Sequence, residues 1–380
     1  MTNEIKPLTT LRALAAALVF LYHYAVLHAP DGGAGVPLRA VWAHGYMGVP
    51  IFFVLSGFLI TRIYFDALND RAVSLRTFLV KRVARIWPLF LLLTTGQHIG
   101  LWILGREAPS ADWLVTMSMS QGWFAGLLYR GLSPTWSLTI EETFYLLVPV
   151  FCLVIGRLAF PGGRTKLLDR DSWIRLLATL ALLVVTLAAV GEISWRLANA
   201  LGLNWQGFLA DRDHVLRMTL AGRLPEFAVG MLIAFIHRDG RLLVRIGPRI
   251  AGLITVLALL AMGGLMASKE IAPPGVQLII HNLVSVAAGI LVLALCVPNH
   301  GPGRILSWGP LVYLGRISYG FYLIQLALVA EPLARWATNA GPARLLVLFI
   351  LLNLVSAGLY EGVERPSRRW IVEHWDRPRG

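Results

Sequence analysis

The feature that most constrains this chain is the recurrence of apolar stretches about 20 residues long over nearly its whole length. A stretch of that size is what one helical crossing of a hydrocarbon layer roughly 30 Å thick requires. Within such a layer every backbone N–H and C=O must be satisfied inside the protein, so apolar runs of this kind fold as helices. The expected fold is therefore all-α and integral to a membrane. Candidate spans begin near Leu8, Tyr46, Trp87, Ser137, Ile174, Leu216, Ile250, Gln277, Leu311 and Arg344, giving about ten transmembrane helices. Composition agrees, with 57% of the 380 residues hydrophobic and only 14% charged.

Charge sets the orientation. A net charge of +13 would point to nucleic acid in a soluble protein, but here Lys and Arg gather in short loops between apolar segments. With the N-terminus inside, the inner loops hold Arg62, Arg71, Arg76, Lys81, Arg82 and Arg85, then Arg157, Arg164, Lys166 and Arg170, then Arg238, Arg241 and Arg245. The tail adds Arg365, Arg368, Arg369, Arg377 and Arg379, whereas the opposite loops hold chiefly Arg39, Arg106, Arg130, Lys269 and Arg335. The positive-inside rule thus predicts a multi-pass protein with cytoplasmic termini, and the clustered charge calls for no nucleic-acid partner. Cys152 and Cys296 both lie in apolar segments, so neither a disulfide framework nor a metal site is expected. The first span carries Arg12 and His23 and lacks a small-residue cleavage site, so it reads as a retained helix rather than a signal peptide. No repeat or linker divides the chain, and residues 1–380 read as one transmembrane domain without a soluble appendage. The outer segments 105–134 and 192–214 contain Trp113, Trp123, Trp195 and Trp205, which suit an interfacial aromatic belt better than a sugar-stacking surface.

Several charged residues fall inside the predicted spans, where an ionisable group costs on the order of 3 kcal/mol. Arg12 and His23 are eleven residues apart, which returns them to nearly the same helix face about 16 Å apart along the axis. Both can face one polar cavity. The competing account has Arg12 reaching the interface and His23 bonding a neighbouring helix. Ser56-Gly57 offers a hydroxyl and a close helix approach, which packing alone also explains. Arg82 and Arg85 share a face at the start of the third span, suited to gripping phosphate, although by composition alone orientation signalling is the favoured explanation. Glu141 and Glu142 open the fourth span, and their side chains diverge by about 100°, so one can orient a base while the other pairs with an arginine, a structural salt bridge to a neighbouring span being the competing account. Arg223 and Glu226 have the spacing of a structural pair. Arg316, Ser318, Tyr319, Tyr322 and Gln325 place polar groups along a single later span.

Taken in order, these motifs resemble the acyltransferase-3 family of membrane acyltransferases. The resemblance rests on the Arg12-to-His23 spacing, Phe-Phe-Val-Leu-Ser56-Gly-Phe-Leu-Ile, Arg82-x-x-Arg85-Ile-x-Pro88, Trp136-Ser-Leu-x-x-Glu141-Glu142-x-Phe-Tyr145, Ser318-Tyr319-Gly-x-Tyr and Glu364-Arg-Pro. It implies a ten-helix fold that takes an acyl group, most commonly acetyl, from acyl-CoA to a carbohydrate hydroxyl such as that of an exopolysaccharide or lipopolysaccharide. Carried over, His23 is the catalytic base and Glu141 its orienting partner, while Arg12, Arg82 and Arg85 bind the coenzyme A donor. Ser56, Glu142, Tyr145, Arg316 and Tyr319 support the site, and no metal takes part. Thr9-Thr10 stand where Asp-Gly is frequent, and Gln325 stands where a histidine often follows, so a two-histidine mechanism lacks its second member. The rival class is a glycan transporter or flippase, since in-span charges also mark substrate pathways, but no paired interrupted helices or inverted repeat is evident.

Overall fold

The computed structural model describes residues 4–24, 36–163, 167–269, 271–338 and 342–375. Arg164, Lys166, Arg377 and Arg379, which belong to the predicted inner loops and tail, lie outside the described residues. Among those described, the regular elements are helical, and one isolated antiparallel bridge joins Phe124 and Phe208. In chain order they are α1 (Lys6–Tyr24), α2 (Val36–Ala43), α3 (Gly48–Asn69), α4 (Leu75–Ile103), α5 (Asp112–Met117), α6 (Trp136–Leu158), α7 (Arg170–Ala200) and α8 (Arg212–Met218). There follow α9 (Leu220–Asp239), α10 (Arg241–Ser268), α11 (Pro274–Leu295), α12 (Gly301–Leu306), α13 (Gly309–Ile324), α14 (Glu331–Thr338) and α15 (Pro342–Leu359). A π-helical turn, Tyr360–Glu364, then leads into α16 (Arg365–Trp375).

Each predicted span start falls on a helix or on the turn that opens one. Among the described residues eight helical stretches are long and apolar enough to cross a membrane, or nine if α13 and the following Leu328–Ala337 segment, bent by 94°, form one span. The 19-residue α1 is not among the eight, because Arg12 and His23 interrupt its apolar sequence. Boundaries also move. The third helix begins at Leu75 rather than near Trp87, since Ser74 caps it by accepting a hydrogen bond from the Thr77 N–H at 3.1 Å.

The centre of the bundle is α3, packed against α1, α6, α9 and α11. Its seam with α9 is made by glycines that bring the two backbones together. A Cβ on Gly57 would sit 2.2 Å from the Phe227 carbonyl oxygen, and one on Gly230 would sit 2.1 Å from that of Val54. The α1–α13 seam closes in the same way, with Gly315 against the Thr9 carbonyl. Beside the first seam, Phe227 stacks between Phe53 of α3 at 4.6 Å and Phe144 of α6 at 4.1 Å. These contacts fix α3, α6 and α9 around a common aromatic core.

The segments between α4 and α6 and between α7 and α8 pack on each other rather than extending freely. The Leu209 N–H donates to the Trp123 carbonyl at 2.9 Å, and the Gln206 amide donates to Asp112 at 3.2 Å. Beneath them His98 bonds Glu107 at 3.0 Å and Thr116 at 2.7 Å, while Arg130 pairs with Glu107 at 2.7 Å and also with Asp112. Trp113 stacks on His98 at 4.7 Å, so this tryptophan serves the network and not an aromatic belt. Trp123 and Trp205 are exposed, as a belt requires.

Candidate active site

A cavity of about 80 Å³ opens between α1, α3, α4, α6 and α13, lined on its polar side by Arg12, Ser56, Arg82, Arg85, Glu141 and Tyr145. Ser137, Ser318, Tyr319 and Tyr322 complete the polar wall, and Phe52, Phe53 and Leu59 are among its apolar lining. Nine residues singled out by sequence, drawn from five helices, therefore meet at one place: Arg12, Ser56, Arg82, Arg85, Glu141, Tyr145, Ser318, Tyr319 and Tyr322. By volume the space admits on the order of six water-sized groups, enough for the end of a slender acyl-bearing arm.

Glu141 is the anchor of the site. Its Oε1 accepts hydrogen bonds from both the Ser56 and the Tyr145 hydroxyls, which stand 3.3 Å from each other. Ser56 reaches it from α3, and Tyr145 lies one helical turn beyond Glu141 on α6. The Arg82 guanidinium lies 5.4 Å from the Tyr64 ring centroid and 5.7 Å from that of Tyr145, and donates to the Tyr64 hydroxyl at 3.4 Å. Glu142 does not line the cavity. It turns towards α4, with Trp87 and Arg82 as neighbours, which realises the divergence expected of adjacent helix residues.

Arg12 has Arg85, Glu141, Tyr145 and Glu364 as its charged and polar neighbours. Glu364, the last residue of the π-turn, is 4% exposed and lies between Arg12, Arg85 and Arg368. None of Arg12, Arg85, Arg368 or Glu364 makes a hydrogen bond or ion pair with another described residue. A concentration of guanidinium groups that leaves its ion pairs unclosed is suited to an anionic ligand.

The structure separates His23 from this cavity. It sits at the far end of α1, beside the Gln325 side chain, with its Nδ1 buried and without a partner. The Gln325 Oε1 is likewise buried and unpartnered. The two places are joined by α13, on which Tyr319, Tyr322 and Gln325 follow at intervals of three and share a face. Tyr322 closes the inner end of the cavity, with its hydroxyl 2.7 Å from Ser137 and donating to the Pro134 carbonyl at 3.1 Å. Arg316 is not part of this arrangement. It is exposed on the other side of α13 and pairs with Glu4 at 2.8 Å, a contact that holds the Glu4 carboxyl below its ordinary range.

Sequence reasoning missed Tyr64, which carries no motif, and the role of Glu364, which lies in the closing motif but outside every apolar run. The Arg223–Glu226 pair has a third member, His281 of α11, whose Nε2 is 2.6 Å from Glu226 and 2.8 Å from Arg223. Arg223 in turn covers Phe53 at 5.4 Å, so this cluster braces the cavity wall from behind. A larger recess of about 460 Å³ between α3 and α9 contains Arg238, but Asp66 already holds that guanidinium through two bonds.

Comparison with known proteins was decisive for the family. The model of the family described as an acyltransferase domain matches residues 6–361. YrhL of Bacillus subtilis (strain 168), whose name assigns it provisionally to peptidoglycan O-acetyl transfer, is 28% identical over 384 residues, covering 96% of this chain and 55% of its own. The O-acetyltransferase OatA of Staphylococcus aureus (strain NCTC 8325 / PS 47) is 26% identical over 377 residues, covering 94% of this chain and 56% of its own. The chain thus spans about half the length of the curated relatives it matches. No solved structure matches it.

Proposed function

Because the chain belongs to this acyltransferase family, we propose that it moves an acetyl group from acetyl-CoA to a hydroxyl of a cell-envelope carbohydrate. The observation that carries the reading is the cavity itself, where Arg12, Arg82 and Arg85 stand beside the hydrogen-bonded trio of Ser56, Glu141 and Tyr145. In this reading the basic-loop face is cytoplasmic. The coenzyme A phosphates rest on the arginines and the slender pantetheine arm enters the cavity along Tyr319, and Tyr322, which closes its inner end, must turn aside for the thioester to reach Gln325 and His23. The acceptor hydroxyl approaches from the opposite face. The names of the relatives are support for reading the acceptor as a peptidoglycan sugar rather than the exopolysaccharide or lipopolysaccharide unit expected first.

Transfer then runs in balance. The unpartnered Nδ1 of His23 takes the acceptor's O–H proton while that oxygen bonds the thioester carbonyl carbon. The C–S bond breaks, and the coenzyme A thiolate recovers the proton from the imidazolium. A glutamine at position 325 has no proton to exchange, so it contributes an orienting oxygen and leaves His23 as the single base.

The test uses purified protein in lipid nanodiscs with labelled acetyl-CoA and a muropeptide or polysaccharide acceptor. His23→Ala should lower transfer by about 10²- to 10⁴-fold, the usual share of a general base, while leaving coenzyme A affinity unchanged, because His23 lies outside the arginine-lined cavity. Full transfer by His23→Ala would sink the mechanism, and a wild-type protein that binds no acyl-CoA would sink the donor assignment.

A further inference from the structure

Residue Arg368 lies beyond the segment matched to the family, on the amphipathic helix α16 that packs along α4. The three arginines of the first turns of α16 differ in their surroundings. Arg365 pairs with Glu361 at 2.8 Å, and Arg369 lies 4.0 Å from Glu373, both one turn away along the chain. Arg368 has no such partner. It projects towards Arg82 and Arg85 of α4, with Glu364 as the nearest carboxylate. Arg368 thus joins Arg82 and Arg85, which line the cavity, and the acids beside the three are the buried Glu364, shared with Arg12, and Glu142 next to Arg82.

The π-turn precedes Arg368 in the chain. An α-helix advances about 100° per residue, and the extra residue of a π-turn rotates everything after it relative to the helix before. After the π-turn Tyr360–Glu364 the chain continues as α16 along α4 with Glu364 buried, and there Arg368 has Arg82 and Arg85 as neighbours while Arg365 and Arg369 pair with Glu361 and Glu373. Like charges assembled in this way repel one another unless an anion joins them, and none of the described residues supplies enough carboxylates.

We propose that Arg368 completes a three-arginine phosphate site with Arg82 and Arg85, binding the phosphates of the thioester donor at the cytoplasmic mouth. This rests on the donor assignment above. The ligand chemistry is phosphate, and a lipid headgroup could present it as well as a nucleotide, since α16 is amphipathic with Trp370 and Trp375 exposed.

The experiment separates these sources and does not depend on chemistry. Binding of adenosine 3′,5′-bisphosphate is measured by calorimetry for wild type, Arg368→Ala, Arg368→Lys and the control Arg365→Ala, in zwitterionic and in anionic nanodiscs, together with KM and kcat for acetyl-CoA. Arg368→Ala should weaken nucleotide binding and raise KM about tenfold or more in both lipids, with kcat within about twofold. Arg368→Lys should recover part of the loss, and Arg365→Ala should behave as wild type. Unchanged affinity in Arg368→Ala, or a loss confined to anionic nanodiscs, would overturn the proposal while leaving the donor assignment intact. A wild type that binds neither the bisphosphate nor acetyl-CoA would overturn both.

Discussion

Removing the two hydroxyls that share Glu141 should produce effects that do not add. Ser56 and Tyr145 both donate to Oε1 and also lie within 3.3 Å of each other, so each is the other's substitute. A hydrogen bond to a charged acceptor contributes about 1.5–3 kcal/mol, and leaving a buried acceptor empty removes that and exposes the desolvation penalty. Tyr145→Phe keeps the ring and its contact with Arg82, and Ser56→Ala removes only one oxygen, so neither change opens a large void. In either single variant the remaining hydroxyl still serves Oε1, and the loss should fall near the lower bound, about 1.5 kcal/mol. In the double variant Oε1 has no donor, and the loss should exceed the sum of the singles by roughly 1 kcal/mol or more. Denaturation with SDS in mixed micelles measures these differences, and transfer rates on the same preparations show whether a misplaced Glu141 also slows the reaction. Strict additivity, or a double variant as stable as wild type, would show that the two hydroxyls do not converge on one carboxylate.

Other outcomes follow from the same geometry. Arg316→Ala breaks only an exposed pair with Glu4 and should cost at most about 1 kcal/mol, with transfer within about twofold of wild type; a large kinetic defect would return Arg316 to the site. Gly230→Ala drives a Cβ into the Val54 carbonyl and the Phe58 N–H, so SDS titration should record a loss of about 1–3 kcal/mol, and a neutral result would mean the α3–α9 seam is looser than its contacts. Lys269, at the end of α10, is buried over the Tyr46 ring at 5.0 Å, and burial first, with Arg223 and Arg217 second, pushes its ammonium down to about 8. Above that value the folded protein has released a proton that the unfolded chain still holds, so stability should rise with pH from about 8 towards the ordinary lysine value near 10.4. Lys269→Met should abolish that rise and be the more stable protein at pH 7; an unchanged slope would place the titration elsewhere.

The sequence carried the fold class because a long apolar run has few alternatives once it is in lipid, and each predicted start lies at a helix. By length and composition alone eight or nine stretches among the described residues qualify as crossings, because the same polar residues that mark the site make α1 and the bent α13 segment poor spans by composition. The site was legible where a motif holds several residues on one helix face, as with Arg82 and Arg85 or Glu141 and Tyr145. Helical periodicity placed Arg12 and His23 on one face correctly, yet it says nothing about what fills the 16 Å, or so, between them. Tyr322 and the inner helices occupy that stretch, and only the packing of α13 shows it. Arg316 looked like a companion of Tyr319, but residues three apart on a helix need not face the same neighbours when that helix is exposed on one side. Glu364 and Arg368 could not be placed because a π-turn shifts the phase of everything after it, and no pattern in the residues announces the shift.

The seam of Gly57 and Gly230 bears on how a small group can cross this protein. Carriers that expose a site alternately to two sides do so by sliding or rocking one group of helices over another, which needs an interface with two comparable resting positions. Here two backbones meet with glycine hydrogens pressed against carbonyl oxygens, and a displacement of even an ångström along the axis would bring the neighbouring bulky side chains, Val54, Phe58 and Phe227, into collision. The central helices therefore behave as a fixed partition. Under the proposed transfer, the acyl-bearing arm and the Tyr322 side chain would have to move, and the glycine seam would not.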